Sequence, residues 1–274
     1  MSVQDIFGEE GALASRFPNY TPRPGQIALA TAIEHALEHD EHLLGEGPTA
    51  TGKSFAYGAP LAQAVLRSGR RAVVATANLA LQDQLFCKDF PLIADVVGGG
   101  LSVARLKGRK NYLCLQRLEE ENRSAVPVDG LDVVRDWASR TTSGDVSELP
   151  AGVPASSVDR LTVSPDECAR RECPLYDACF AERARATAEA AHIVVTNMAL
   201  LCTHLALRDQ TGIETVLPAF DIVVVDEAHE LADVARSHFG FQLSGAAVER
   251  VARATAKLGL PAAATALRTA AAAW

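Results

Sequence analysis

Gly47-Pro48-Thr49-Ala50-Thr51-Gly52-Lys53-Ser54 carries the pattern G-x-x-x-x-G-K-[ST] complete. Glycine at both ends lets the backbone wrap close to phosphate oxygens. The loop amides and the N-terminus of the next helix meet those oxygens with partial positive charge. In such a loop Lys53 reaches the β and γ phosphates of ATP, the Ser54 hydroxyl ligates Mg2+, and Gly47, Thr49, Thr51 and Gly52 form the cradle. The alternative, a chance glycine-rich turn, is disfavoured by context, because the pattern has meaning only between a strand and a helix. The run His42-Leu43-Leu44 predicts the strand, and Lys53 to Arg67 predicts the helix.

Further out, Ile27, Ala30, Ile33 and Leu37 recur at helical spacing and predict a helix over Pro24 to Glu38. Arg71 to Thr76 reads as a strand, Leu79 to Phe86 as a helix, and Leu101 to Leu106 as a third strand. After a different middle region the alternation resumes. His192 to Thr196 is a strand, Asn197 to Leu207 a helix, and Asp221 to Val225 an unbroken apolar strand. Continuous Val and Ile runs of this kind suit a parallel sheet covered on both faces, with right-handed crossovers between strands. The fold class is therefore α/β, a phosphate-loop lobe with a parallel sheet.

The 274 residues suffice for one large domain or two modest ones, and 48% hydrophobic with 22% charged residues fits a globular chain. No apolar stretch reaches the ~18 residues of a membrane span. The start, with Asp5, Glu9 and Glu10, is unlike a secretory signal. A cytoplasmic, reducing setting is expected, and six cysteines are too sparse for a disulfide scaffold. A net charge of −8 speaks against a general nucleic-acid coat but not against a local basic track.

The strand Ile222 to Val225 runs into Asp226-Glu227-Ala228-His229. Asp226 is placed to hold Mg2+, directly or through water, and Glu227 to orient and deprotonate a water. The plainer reading, acids capping the next helix, weakens with a phosphate loop upstream, because the two halves complete one hydrolytic site. His229 is either a helix-start residue or a link to another lobe of a motor. Gln26, some 20 residues before Gly47 in Tyr20-Thr-Pro-Arg-Pro-Gly-Gln26, either reads adenine through its amide or simply faces solvent.

Cys114, Cys168, Cys173 and Cys179 form C-x53-C-x4-C-x5-C. Four thiolates suit tetrahedral zinc or an iron–sulfur cluster. One remote ligand and gaps of four and five residues favour the cluster over the paired knuckles of zinc. Cys87 and Cys202 lie in apolar surroundings and read as core. The region from Asn111 to Ala190 reads as an inserted subdomain that cannot rely on an apolar core alone. Arg105, Lys107, Arg109 and Lys110 precede Tyr112 directly, a track that serves either a single-stranded backbone or a solvated face.

In combination these motifs resemble the iron–sulfur helicases of superfamily 2, the XPD/DinG group, and most closely its bacterial DinG-type branch. Thr76-Ala-Asn-Leu-Ala-Leu-Gln-Asp-Gln84, Gly108-Arg-Lys-Asn-Tyr-Leu-Cys114 and Thr196-Asn-Met-Ala-Leu-Leu201 also carry the resemblance, over about residues 20 to 230. It implies an ATP-driven 5′→3′ DNA helicase of repair or replication, with a [4Fe–4S] cluster on the four cysteines. Arg23, Gln26 and His229 would join the ATP site. Thr76, Asn78, Gln82, Lys107, Arg109, Lys110 and Tyr112 would lie along single-stranded DNA. The implied domains are a RecA-like lobe in two parts, 1–110 and 191–238, an iron–sulfur insertion, 111–190, and the start of a helical arch, 239–274. The implied partners are single-stranded and forked DNA, with RNA–DNA hybrids as a further substrate, in a monomer associated with the nucleoid. No Ser-Ala-Thr-type motif and no Gln-x-x-Gly-Arg-x-x-Arg motif follows His229. The chain thus reads as a fragment without the second lobe, expected to bind nucleotide and turn it over slowly. Two other readings stay open: a non-helicase ATPase with structural zinc, and a DNA-binding adaptor without turnover.

Overall fold

The computed structural model describes residues 1–47, 52–212, 216–239 and 245–272. Helices α1 (Val3–Phe7), α2 (Ala12–Arg16), α3 (Pro24–His39) and α4 (Lys53–Ser68) lead to strand β1 (Ala72–Thr76). Then follow α5 (Leu79–Gln84), α6 (Phe90–Val97), β2 (Val103–Arg105), α7 (Leu115–Asn122), α8 (Leu131–Ala138), α9 (Ala155–Leu161) and α10 (Phe180–Ala190). The chain continues through β3 (Ile193–Asn197), α11 (Met198–Thr211), β4 (Ile222–Val225), α12 (Leu231–Phe239), α13 (Gly245–Lys257) and α14 (Pro261–Ala272).

The four described strands form one parallel sheet in the order β2-β3-β1-β4. Every residue of β1 is buried, as its Ala-Val-Val-Ala-Thr run demands of a central strand. Alternate side chains serve two cores. Val74, Ile193 and Val195 pack against α1, α3, α4 and α6 on one face, while Val73, Ala75 and Val194 pack against α10 and α11 on the other. Each fully buried Val or Ile contributes about 1.5–3 kcal/mol. This three-layer arrangement is the α/β lobe that the apolar runs predicted.

Three expectations differ from the structure. His42-Leu43-Leu44 joins no strand, and Leu44 is 90% exposed. A run of two leucines between a histidine and a glycine is too short to bury itself, and among the described residues β4 is the sheet edge on the β1 side, with Val223 half-exposed. The helix predicted over Leu79 to Phe86 stops at Gln84, opens into a π-turn over Leu85–Asp89 and resumes as α6. Cys87 on that turn is exposed, not core, whereas Cys202 is buried.

The middle region has an apolar core of its own, in which Tyr112, Leu113, Leu131, Trp137, Leu161 and Phe180 pack together. Gly144 shows how tight this core is. It sits at φ 63°, and a Cβ there would lie 2.1 Å from the Phe180 ring.

A buried ion cluster fastens this unit to the lobe. The Lys107 side chain has no exposure, and its Nζ lies 2.9 Å from Asp83 Oδ1 and 2.7 Å from Asp145 Oδ2. Arg105 joins Asp83, Asp145 and Glu148 at 2.8, 3.1 and 2.8 Å, with its guanidinium over the Phe86 ring. Burial disfavours a charged Asp145, yet hydrogen bonds from Lys107 and Ser147 hold its carboxyl below the usual range. Asp145 Oδ2 is met by Lys107 Nζ at 2.7 Å and by the Arg105 guanidinium at 3.1 Å. The cluster is held by ion pairs and hydrogen bonds together. Lys107→Met takes from the buried Asp145 carboxylate its nearer cation, and should cost up to about 3–5 kcal/mol in urea unfolding; a loss below about 1 kcal/mol would contradict this account of the joint.

Candidate functional site

The parallel sheet brings two distant motifs to one end. The Asp226 N–H donates to Ala75 O at 2.9 Å, which extends the β1–β4 ladder one residue past β4. The next residue, Glu227, meets the first residue of α4, with Lys53 Nζ 2.9 Å from Glu227 Oε1. Both side chains are about a third exposed, so a ligand can reach the pair. Glu227 takes the left-handed conformation at φ 58°, a strain of order 1 kcal/mol that recurs at functional turns.

Asp226 is set deeper. Its Oδ1 accepts the Glu227 N–H at 3.1 Å and its Oδ2 accepts the Tyr57 hydroxyl at 3.3 Å. Burial, and then the charge of Glu227, push the Asp226 carboxyl above its ordinary value. Glu227 shifts the other way, because the hydrogen bond and charge of Lys53 hold it low. Lys53 is raised by the same hydrogen bond.

Gly52, at φ 79°, turns the chain into α4, and its carbonyl accepts Gln26 Nε2 at 2.9 Å. A Cβ at Gly52 would lie 2.3 Å from that nitrogen, so the turn requires glycine. Gln26 is buried, which removes the solvent-facing alternative, and Arg23 is the N-cap residue of α3 one turn before it. Gly47 is half-buried, and Ser54 sits half-buried in the first turn of α4. Thr49 and Thr51 lie outside the described residues. His229, 72% exposed, stands 3.6 Å from Glu227 Oε2.

The residues expected along DNA divide into two sets. Asn78 is exposed and caps α5, accepting the Leu81 N–H at 3.0 Å, and Lys110 is also exposed. Thr76 is buried, and its hydroxyl donates to Asn78 O. Gln82 is fully buried and donates to Leu106 O and Val195 O, both at 2.9 Å. Lys107 lies inside the ion cluster. The Tyr112 hydroxyl accepts the Lys107 N–H, and burial pushes its pKa up to about 12. Arg109 pairs with Glu182. Burial thus spends Thr76, Gln82, Lys107 and Tyr112 on joining β2, β3, α5 and the middle unit.

The four cysteines line one cavity of about 150 Å3, together with Arg109 and Gln116. Cys173 Sγ donates to Gln116 Oε1 at 3.3 Å, and Cys168 Sγ accepts the Arg170 N–H at 3.4 Å. All four are free thiols. Among the described residues no three His, Cys, Asp or Glu side chains stand grouped to hold a metal ion. The four sulfurs share that cavity without being gathered into one coordination shell. A second, larger cavity of about 470 Å3 lies at the ends of β2 and β3, lined by Lys110, Arg170, Arg185, Asn197, Leu200 and Thr203 among others. No described helix is long and apolar enough to cross a membrane.

Sequence reasoning passed over Tyr57 and Asp83. The available signal for Tyr57 was its place four residues after Lys53, which puts both on one helix face.

No protein-family profile matches the chain. It is 37% identical over 248 residues to a protein of Escherichia coli (strain K12) named "ATP-dependent DNA helicase YoaA", an alignment covering 88% of this chain and 38% of that protein. It is 39% identical over 281 residues to the "ATP-dependent helicase DinG" of Mycobacterium tuberculosis (strain ATCC 25618 / H37Rv), covering 94% of this chain and 41% of the relative. It is 31% identical over 242 residues to the "3'-5' exonuclease DinG" of Bacillus subtilis (strain 168), covering 85% and 25%. The chain spans about two fifths of the length of the first two relatives.

The opposed shifts of the two acids give a pH test. An acid raised in the fold weakens the folded state while it is charged, and that penalty disappears as the pH falls below its ordinary value of 3.8. Asp226→Asn should therefore raise the melting temperature at neutral pH, with the gain closing as the pH falls to about 4. An equal or lower melting temperature for the variant at neutral pH would contradict the assignment.

Proposed function

The chain is DinG-like over most of its length, and from that premise we propose that it is the nucleotide-binding lobe of an ATP-dependent 5′→3′ DNA helicase acting in DNA repair or replication in the cytoplasm. The observation that carries this reading is the 2.9 Å contact of Lys53 with Glu227, residues 174 apart in the chain. It joins the phosphate loop to the acidic turn in one site.

The contact also suggests how the site works. Lys53 is neutralised by Glu227 while no phosphate is present. The β and γ phosphates of ATP carry more charge than one carboxylate and would draw Lys53 away. Glu227 would then be free to take a proton from a water attacking the γ phosphorus. Ser54 and Asp226 would hold Mg2+, which when bound neutralises charge on the β and γ oxygens. Gln26 and Arg23 would bring the adenine end to the same loop, since Gln26 already holds its Gly52 carbonyl.

For DNA, the larger cavity is the favoured path. Lys110 and Arg170 are exposed on it, and Asn78 lies on the sheet's same carboxyl end. Cations beside an aliphatic floor suit a strand held by its phosphates. The cysteine cavity supports the resemblance's [4Fe–4S] cluster, with Cys114, Cys168, Cys173 and Cys179 as its ligands and Arg109 beside them.

Two measurements test these readings. Lys53→Ala should weaken binding of a fluorescent ATP analogue about tenfold or more, while Glu227→Gln should keep binding and lower hydrolysis about 10²–10⁴-fold. Unchanged binding in Lys53→Ala would overturn the nucleotide site. Protein purified without oxygen should be brown with about four iron atoms per chain, and Cys179→Ser should lose both. Colourless protein with one zinc would favour a structural zinc site.

A further inference from the structure

Three residues of α4 face the site at successive positions: Lys53 and Ser54 in its first turn, and Tyr57 one turn on. Tyr57 belongs to no motif. Its ring is 6% exposed and packs in the core of the α3, α4 and α6 face. A buried aromatic side chain needs no hydroxyl to fill such a space. This hydroxyl nevertheless points at the site, 3.3 Å from Asp226 Oδ2. Tyrosine hydroxyls in buried positions find a partner because an unpaired one is costly.

The other oxygen of Asp226 is fixed as well, by the Glu227 N–H at 3.1 Å. Its backbone is fixed by the ladder bond to Ala75 O. Asp226 is thus held from three sides, and only the Tyr57 contact comes from the helix that carries Lys53 and Ser54. A distance of 3.3 Å is long for an O–H···O bond. Such bonds in ligand-free sites commonly tighten once substrate is bound.

We propose that Tyr57 is a positioning residue for metal binding, its hydroxyl orienting the Asp226 carboxylate toward a divalent cation shared with Ser54. The inference rests on the nucleotide-site reading above and adds a residue to it. By this account α4 supplies the phosphate contact, one cation contact and the support of the second. A single helix then keeps all three in register, and the 169 residues separating Tyr57 from Asp226 cease to matter.

The test is Tyr57→Phe, which retains the ring and removes one oxygen. Binding of a fluorescent ATP analogue is measured on the full chain as Mg2+ is titrated, with Mn2+ as a second cation. Groups that orient metal ligands are worth about 10–100-fold in metal affinity. The half-saturating Mg2+ concentration should rise about tenfold in Tyr57→Phe, with nucleotide binding at saturating Mg2+ close to wild type. An unchanged Mg2+ titration would overturn the proposal while leaving the nucleotide site standing. Wild-type protein that binds the analogue without any Mg2+ dependence would overturn both the proposal and the cation role given to Ser54 and Asp226, and wild-type protein that does not bind it would overturn the nucleotide site. Should the variant melt early, a cycle with Asp226→Asn decides. The proposal requires that Tyr57→Phe add no further loss of Mg2+ affinity in that background, and additive losses would overturn it.

Discussion

The parallel pairing of β4 with β1 is the constraint on which the rest depends. Parallel strands place all their carboxyl ends on one side, and each crossover returns through a helix whose N-terminus faces that side. Asp226 and Glu227 arrive there because β4 runs with β1, and Lys53 arrives because α4 begins there. The Lys53–Glu227 pair is the visible result. Its two charges were brought together by main-chain geometry, so the pair can open for a ligand without loss of the fold. Exposed ion pairs contribute little to stability, which suits a contact that must be exchanged.

The second joint obeys the opposite rule. Lys107 and Asp145 are held out of water, and removing one leaves the other with too little compensating charge. Gln82 and Thr196 add hydrogen bonds to Leu106 O within the same buried region. The lobe, α5 and the middle unit therefore meet through polar groups that tolerate little displacement. α5 carries Asn78 at its N-terminus, and the middle unit carries the cysteines.

Much of this was legible in the sequence. Val73-Val74 and Ile193 to Val195 read as buried strands because a central parallel strand has no polar face to interrupt it, whereas the equally apolar Ile222 to Val225 lies at an edge with Val223 half-exposed. The phosphate loop and acidic turn were legible because glycine, lysine and carboxylate have few reasons to stand in those patterns. Other features depend on partners far away in the chain. Nothing local distinguishes Lys107, which is buried, from Lys110, which is exposed; Asp145 decides it, 38 residues further on. The core of the middle unit was hidden because short helices such as α7, α8 and α9 give periodicity too little length to register. Leu43 and Leu44 have the composition of a strand and no partner among the described strands. Tyr57 was hidden because tyrosine on an apolar helix reads as packing.

The central claim is that nucleotide binds where α4 meets the end of β4. Hydrogen–deuterium exchange with and without MgATP tests it most directly. Protection centred on residues 47–57 and 226–230, around Lys53 and Glu227, is the outcome the account predicts. Protection absent from both segments, or confined to the cysteine unit, would contradict it.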